Sequence, residues 1–206
     1  MKKSDRIREI LQELYPDAHC ELNYRNDFEL LIAVSLSAQT TDVRVNSVTP
    51  ELFDRYPGPE ELSEAFTEDV EKIIKPIGLY RNKARNIIAL SKELMDKYEG
   101  HVPNDRASLE SLRGVGRKTA NIILNNCFNE PAFAVDTHVS RVAKRLQIAD
   151  PDDDVLEIEK KLMDFFPRKY WGKLHHQMIF FGRYKCKAIK PECMDCALKK
   201  YCNHLA

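Results

Sequence analysis

Apolar residues recur every three or four positions along most of the chain. Between Asn82 and Tyr98, the residues Ala84, Ile87, Ile88, Ser91, Met95 and Tyr98 fall on one face, as in an amphipathic helix. Phe28, Leu31, Ile32, Ser35 and Leu36 follow the same rule, with Asn26 or Asp27 placed to cap that helix. Gly78 and Gly100 sit where helix ends are expected, and Pro103 and Pro131 break the chain between periodic segments. No run of strand-type alternation is sustained, and no repeat of roughly 20–50 residues is visible. The pattern predicts an all-α fold of many short helices. Pro131–Asp136 (Pro-Ala-Phe-Ala-Val-Asp) is too apolar for a surface helix. Without a visible partner strand it reads as an extended linker crossing between domains.

Composition narrows the picture. At 206 residues and 43% hydrophobic, the chain suits one or two globular domains and is too apolar to be disordered. The longest uncharged apolar run, Leu30–Ala38, is too short to span a bilayer. The basic N-terminus has no apolar core behind it, so no secretion signal is read there. A soluble cytoplasmic protein is expected, with no membrane contact. Lys+Arg and Asp+Glu both number 32, which excludes a uniformly basic polyanion binder. The charge is nevertheless uneven. Residues 113–145 hold six Lys/Arg against two Asp/Glu, and residues 168–206 hold nine against two. A basic face for a polyanion is compatible with this, and so is an ordinary charged surface.

Leu109–Leu124, LESLRGVGRKTANIIL, is the most distinctive stretch. A short helix ends near Leu112, and a second starts around Arg117 and buries Ala120, Ile123 and Leu124. Gly114 and Gly116 flank one apolar residue. Glycines permit a sharp reversal and leave backbone N–H groups open to a phosphate at the new helix start. A Walker-type loop needs Gly directly before Lys, where Arg117 stands, and a dinucleotide fingerprint needs a third Gly and a preceding strand. What remains is a candidate helix-hairpin-helix that grips a DNA backbone without reading bases. Lys118 lies in the first turn of the second helix, beside Arg117. The positive helix end and a neighbouring cation both disfavour an ammonium. It is either a phosphate contact or an amine nucleophile. Asp136, ahead of Thr137 and His138, is either a helix cap or an acid that stabilises positive charge on a sugar.

Four of the six cysteines lie close together. Cys186, Cys193, Cys196 and Cys202 have the spacing Cys-x6-Cys-x2-Cys-x5-Cys, while Cys20 and Cys127 are isolated. Four thiolates at this spacing point to a bound metal, either one zinc or one iron–sulfur cubane. Lys185, Lys187 and Lys190 lie in or beside this loop and suit a DNA-facing surface.

Taken in order, FELLIAVSLSAQTTD, IGLYRNKARNI, LRGVGRKTANIIL, AVDTHVSRV, HHQMIFFGRYKCKA and the cysteine loop resemble the endonuclease III family of DNA repair glycosylases, from Phe28 to Cys202. Arg113 departs from the family's usual proline before Gly-Val-Gly. The resemblance implies two helical domains flanking a DNA-binding cleft. One is a six-helix domain at residues 23–130, and the other joins residues 1–22 to 131–206 and carries a [4Fe-4S] cluster. It implies a monomer that acts on damaged double-stranded DNA, removing oxidised pyrimidines and cleaving the abasic strand by β-elimination. It assigns Lys118 as nucleophile and Asp136 as catalytic acid. Gln39 and Leu79 would fill the gap left by a flipped nucleotide. Gly114, Gly116, His138, Lys185 and Lys187 would contact DNA, and the four clustered cysteines would be the ligands. Two relatives in fold make different demands: an adenine mismatch glycosylase usually lacks this lysine, and a non-catalytic helix-hairpin-helix binder needs neither Lys118 nor Asp136.

Overall fold

The computed structural model describes residues 2–204. Among these there is no β-strand. The α-helices are α1 (Lys3–Leu14), α2 (Asp27–Leu36), α3 (Asp42–Asn46), α4 (Thr49–Arg55), α5 (Pro59–Ser63), α6 (Thr67–Ile74), α7 (Tyr80–Tyr98), α8 (Arg106–Ser111), α9 (Arg117–Cys127), α10 (Thr137–Arg145), α11 (Val155–Phe165) and α12 (Trp171–Phe180). Short 3-10 turns stand at Arg168–Tyr170 and Lys199–Tyr201, and a π-helical turn occupies Phe181–Lys185. The chain divides into two compact units, Glu21–Asn129 and the joined segments Met1–Cys20 and Glu130–Ala206.

In the Glu21–Asn129 unit, α2 is buried nearly all round, as its unbroken apolar run demands. Its N-terminus is closed by Asn26, whose side chain accepts from Glu29 N–H. Glu29 is itself buried, and its carboxylate takes Arg25 N–H at 2.7 Å and Arg25 Nε at 2.8 Å. The charge is thereby satisfied inside the fold. Helix α7 packs against α2, α5 and α6, and α9 packs against α2 and α8. Eight helices fill this unit where six were expected. The additional ones are short: α3 and α5 have five residues each, too few for a hydrophobic stripe to reveal them in sequence.

The second unit has its own core of Ile7, Leu11, Phe133, Val139, Val142, Leu162, Phe166, Leu174, Met178 and Phe181. Helix α12 packs against α1 and α10, and α10 against α11. The apolar segment before Asp136 is neither helix nor strand, with Ala132–Val135 buried. His175 Nδ1 on α12 meets Ala134 O at 2.8 Å. The segment thus serves as an internal strap whose backbone is satisfied by a side chain. Gly182 is required by close approach: a Cβ there would stand 2.9 Å from His138 Cβ and 3.2 Å from His138 O.

Candidate active site and cysteine site

The Gly-Val-Gly turn forms as its residues require. Gly114 has φ +77°, a conformation that suits glycine. Val115 between the glycines is buried, and Gly116 is the N-cap of α9 without a side-chain cap. The helix start is therefore left open in the way a phosphate-binding hairpin needs. Lys118, the second residue of α9, is exposed. Arg113 uses the N–H that a proline would lack: it donates to Glu93 Oε2 on α7 at 2.9 Å. Its Nε lies 3.4 Å from Asn86 Oδ1 on the same helix. The hairpin is thus tied to α7 through Arg113.

Gln39 and Leu79 are two of six non-glycine residues with positive φ among the described residues. Both are exposed, and both are left-handed, with φ 54° and 58°. For residues with a Cβ this costs roughly 1 kcal/mol or more. Leu79 ends the loop that opens α7 and is 58% exposed. Its apolar side chain is held out to solvent instead of packing in the core. The sequence pattern carries no sign of either φ value.

Asp136, in the other unit, is the N-cap of α10. Its Oδ1 accepts Val139 N–H at 2.8 Å. The capping role weighed from sequence is therefore present, and it leaves Oδ2 without a hydrogen bond among the described residues. The cap fixes the orientation of the carboxylate. His138 is half-buried, with Nδ1 3.1 Å from Arg141 Nη2. Lys118 and Asp136 belong to different units.

Cys186, Cys193, Cys196 and Cys202 line one cavity of about 70 Å³, together with Arg145, Leu146, Phe181 and Leu198. A single tetrahedral ion would gather its thiolates within about 2.3 Å of one point. A cavity of this size with four thiolates on its wall has room for a single ion or for a cluster. Cys186 is delivered by the π turn, since its N–H bonds Phe181 O at 2.7 Å. Arg145 Nη1 donates to Cys186 Sγ at 3.2 Å, and His204 N–H to Cys202 Sγ at 3.3 Å. Arg141 and Arg145 also hold the Cys186 and Lys187 carbonyls. Neither arginine was identified as part of the cysteine site from sequence, because their link to the loop spans more than 40 residues. Lys185 and Lys187 are paired within the loop: Lys185 with Asp195 at 2.7 Å and Lys187 with Glu192 at 2.8 Å. The hydrogen bond to Asp195 raises the pKa of Lys185 above the ordinary lysine value.

Residues 32–168 match the model of the HhH-GPD superfamily base excision DNA repair proteins. Endonuclease III of Bacillus subtilis (strain 168) is 50% identical over 203 residues, covering 98% of this chain and 93% of that protein. Endonuclease III of Escherichia coli (strain K12) is 45% identical, covering 99% and 97%. A solved trapped endonuclease III–DNA covalent intermediate, an estranged-adenine complex, superposes with TM-score 0.93 at 53% identity, over 98% of this chain and 97% of that one. A thermostable thymine-DNA glycosylase shares the fold, with TM-score 0.89 at 22% identity. With a superfamily match over most of its length and endonuclease III relatives along nearly all of it, the chain belongs to the endonuclease III family of base excision DNA repair proteins.

Proposed function

We propose that this base excision repair glycosylase and abasic-site lyase removes oxidised pyrimidines from duplex DNA with Lys118 as nucleophile and Asp136 as its acid–base partner. The carrying observation is the exposed Lys118 amine on the first turn of α9, directly behind the open hairpin. That a close relative has been trapped as a covalent intermediate with DNA supports an amine mechanism here. The Lys118 nitrogen lone pair forms a bond to the sugar C1′, and the C1′–N bond to the base breaks. The base leaves with that electron pair and takes up a proton. The attached nitrogen gives up a proton, its lone pair breaks the C1′–O4′ bond, and O4′ takes up a proton; the protonated imine that results acidifies C2′–H. Loss of that proton expels the 3′ phosphate as the C3′–O bond breaks. The Asp136 carboxylate stabilises positive charge on the sugar and carries protons. A lesion that stacks poorly costs less to extrude. Leu79 wedges into the stack and Gln39 fills the vacated place, while Gly114 and Gly116 present backbone N–H groups to phosphate. His138, Lys185 and Lys187 add backbone contacts.

The four clustered cysteines would hold a [4Fe-4S] cluster, whose contribution when bound is to cross-link the basic loop to the helical body. Arg145 and the His204 N–H draw charge from two of the sulfurs. No step of base removal passes through this site.

The direct test uses duplexes that each carry one defined oxidised pyrimidine, followed by strand separation. Base loss coupled to strand cleavage is expected. Base loss without cleavage, or release of only undamaged adenine from mismatches, would contradict the reading.

A further inference from the structure

Lys83 lies on α7 one turn after Leu79, in a segment whose sequence reads as an ordinary charged helix. Yet it is only 6% exposed. Its Nζ donates to Thr40 Oγ1 at 2.7 Å, and no carboxylate pairs with it among the described residues. Burial pushes its pKa below the ordinary lysine value. An ammonium inside a fold with only a hydroxyl for a partner is costly, and an apolar side chain of equal length would be cheaper. Such costs persist where they serve a task.

The bond to Thr40 indicates the task. Thr40 directly follows Gln39, and Lys83 stands one turn into the helix that Leu79 caps, where its N–H makes the ordinary helix bond to Leu79 O at 3.1 Å. Both neighbours are the strained, exposed residues at φ 54° and 58°. The loop around Gln39 is otherwise braced locally, by Thr40 N–H to Ser37 O and Ser37 Oγ to Val34 O. Those bonds fix the shape of the loop, while its distance from α7 is set by the packing of α2 on α7 and by the Lys83–Thr40 bond. The Lys83 side chain spans from the helix start to the loop.

We infer that Lys83 is a positioning residue for duplex opening. Its ammonium, seated on Thr40 Oγ1, sets the spacing between the Gln39 loop and the Leu79 helix start, so that the two side chains enter a duplex as one rigid pair. This rests on the gap-filling reading of Gln39 and Leu79.

Lys83→Met tests it, with Thr40→Val removing the same bond from the other side and Thr40→Ser restoring the hydroxyl. Four readouts are needed. These are single-turnover base removal from a fully paired lesion duplex, fluorescence of 2-aminopurine opposite the lesion, borohydride trapping on single-stranded abasic DNA, and thermal unfolding. Lys83→Met should slow base removal from the paired duplex about tenfold or more, and the 2-aminopurine signal by the same factor. Trapping on single-stranded abasic DNA should be unchanged, because nothing must be opened there. The unfolding midpoint should hold or rise. Thr40→Val should repeat the duplex-selective loss, which also decides the matter if Lys83→Met does not fold, and Thr40→Ser should match the unsubstituted enzyme. Equal losses on both substrates, or no loss on either, overturn the inference. Leu79→Ala is the control for the reading beneath it. If Leu79→Ala leaves duplex activity intact, the wedge assignment itself fails. If Leu79→Ala is slow while Lys83→Met and Thr40→Val are not, only the role of Lys83 fails.

Discussion

One carboxylate oxygen of Asp136 is committed to the Val139 N–H at 2.8 Å, and two substitutions separate this structural bond from the chemistry. Asp136→Asn retains an oxygen for the cap and removes the charge. It should leave thermal stability nearly unchanged and reduce base removal far more than DNA binding. Asp136→Ala removes both and should also lose about 1 kcal/mol of stability. If Asn turns over normally, Asp136 has no part in the chemistry. At this scale the sequence revealed residue types in order but not their conformations. Lys118 and Asp136 could be picked out because they follow a glycine turn and an apolar strap. The left-handed Gln39 and Leu79, the buried Lys83 and the N–H bond of Arg113 depend on partners in other helices, which no local pattern shows.

Helix α12 and the π turn after it show what periodicity captures and what it misses. The apolar spacing that makes α12 helical is present in the chain, whereas the π turn at Phe181–Lys185 inserts into an otherwise regular pattern and leaves no signature of its own. Gly182 in that turn accommodates His138 on α10. Gly182→Ala would push against α10 backbone just beyond Asp136. It should cost about 1–3 kcal/mol and lower base removal, both read from thermal melts and single-turnover assays. His176 on α12 supplies a pH dependence. Burial, and then the neighbouring His175, His19 and Lys173, depress its pKa from 6.5 to about 3. The unfolded chain therefore takes up a proton below pH 6.5 that the folded chain refuses until about pH 3. Stability from this group is complete above pH 6.5 and declines as pH falls through that window, by up to about 1.4 kcal/mol per unit. His176→Gln should flatten the decline of the melting temperature between pH 7 and pH 5. An equal decline in the variant would assign the acid sensitivity elsewhere.

For the whole molecule, a formal charge of zero conceals two basic stretches, and this sets how the enzyme should respond to salt. The logarithm of DNA affinity should fall linearly with the logarithm of salt, by about 0.9 for each phosphate neutralised. Lys185 and Lys187 already pair with Asp195 and Glu192, but exposed pairs of this kind are weak, so phosphate can displace them. Lys187→Gln should weaken binding to all sequences alike and shallow the salt slope. A flat response between low and moderate salt would contradict a basic DNA face. The cluster proposed for the four clustered cysteines predicts about four irons per chain in protein purified without oxygen, with Cys20 and Cys127 dispensable. Stoichiometric zinc would contradict it.

The central claim is that the Lys118 amine bonds to the sugar during each turnover. Borohydride added during reaction with a lesion-bearing duplex should reduce the imine and leave enzyme and DNA covalently joined. Lys118→Gln keeps similar length and polarity but lacks a nucleophilic nitrogen. It should still bind abasic DNA, yet neither nick it nor form the adduct. A lysine that only contacts phosphate would give the opposite result: weaker binding, with the adduct still formed. Adduct at normal yield from Lys118→Gln would place the nucleophile on another residue and contradict the account.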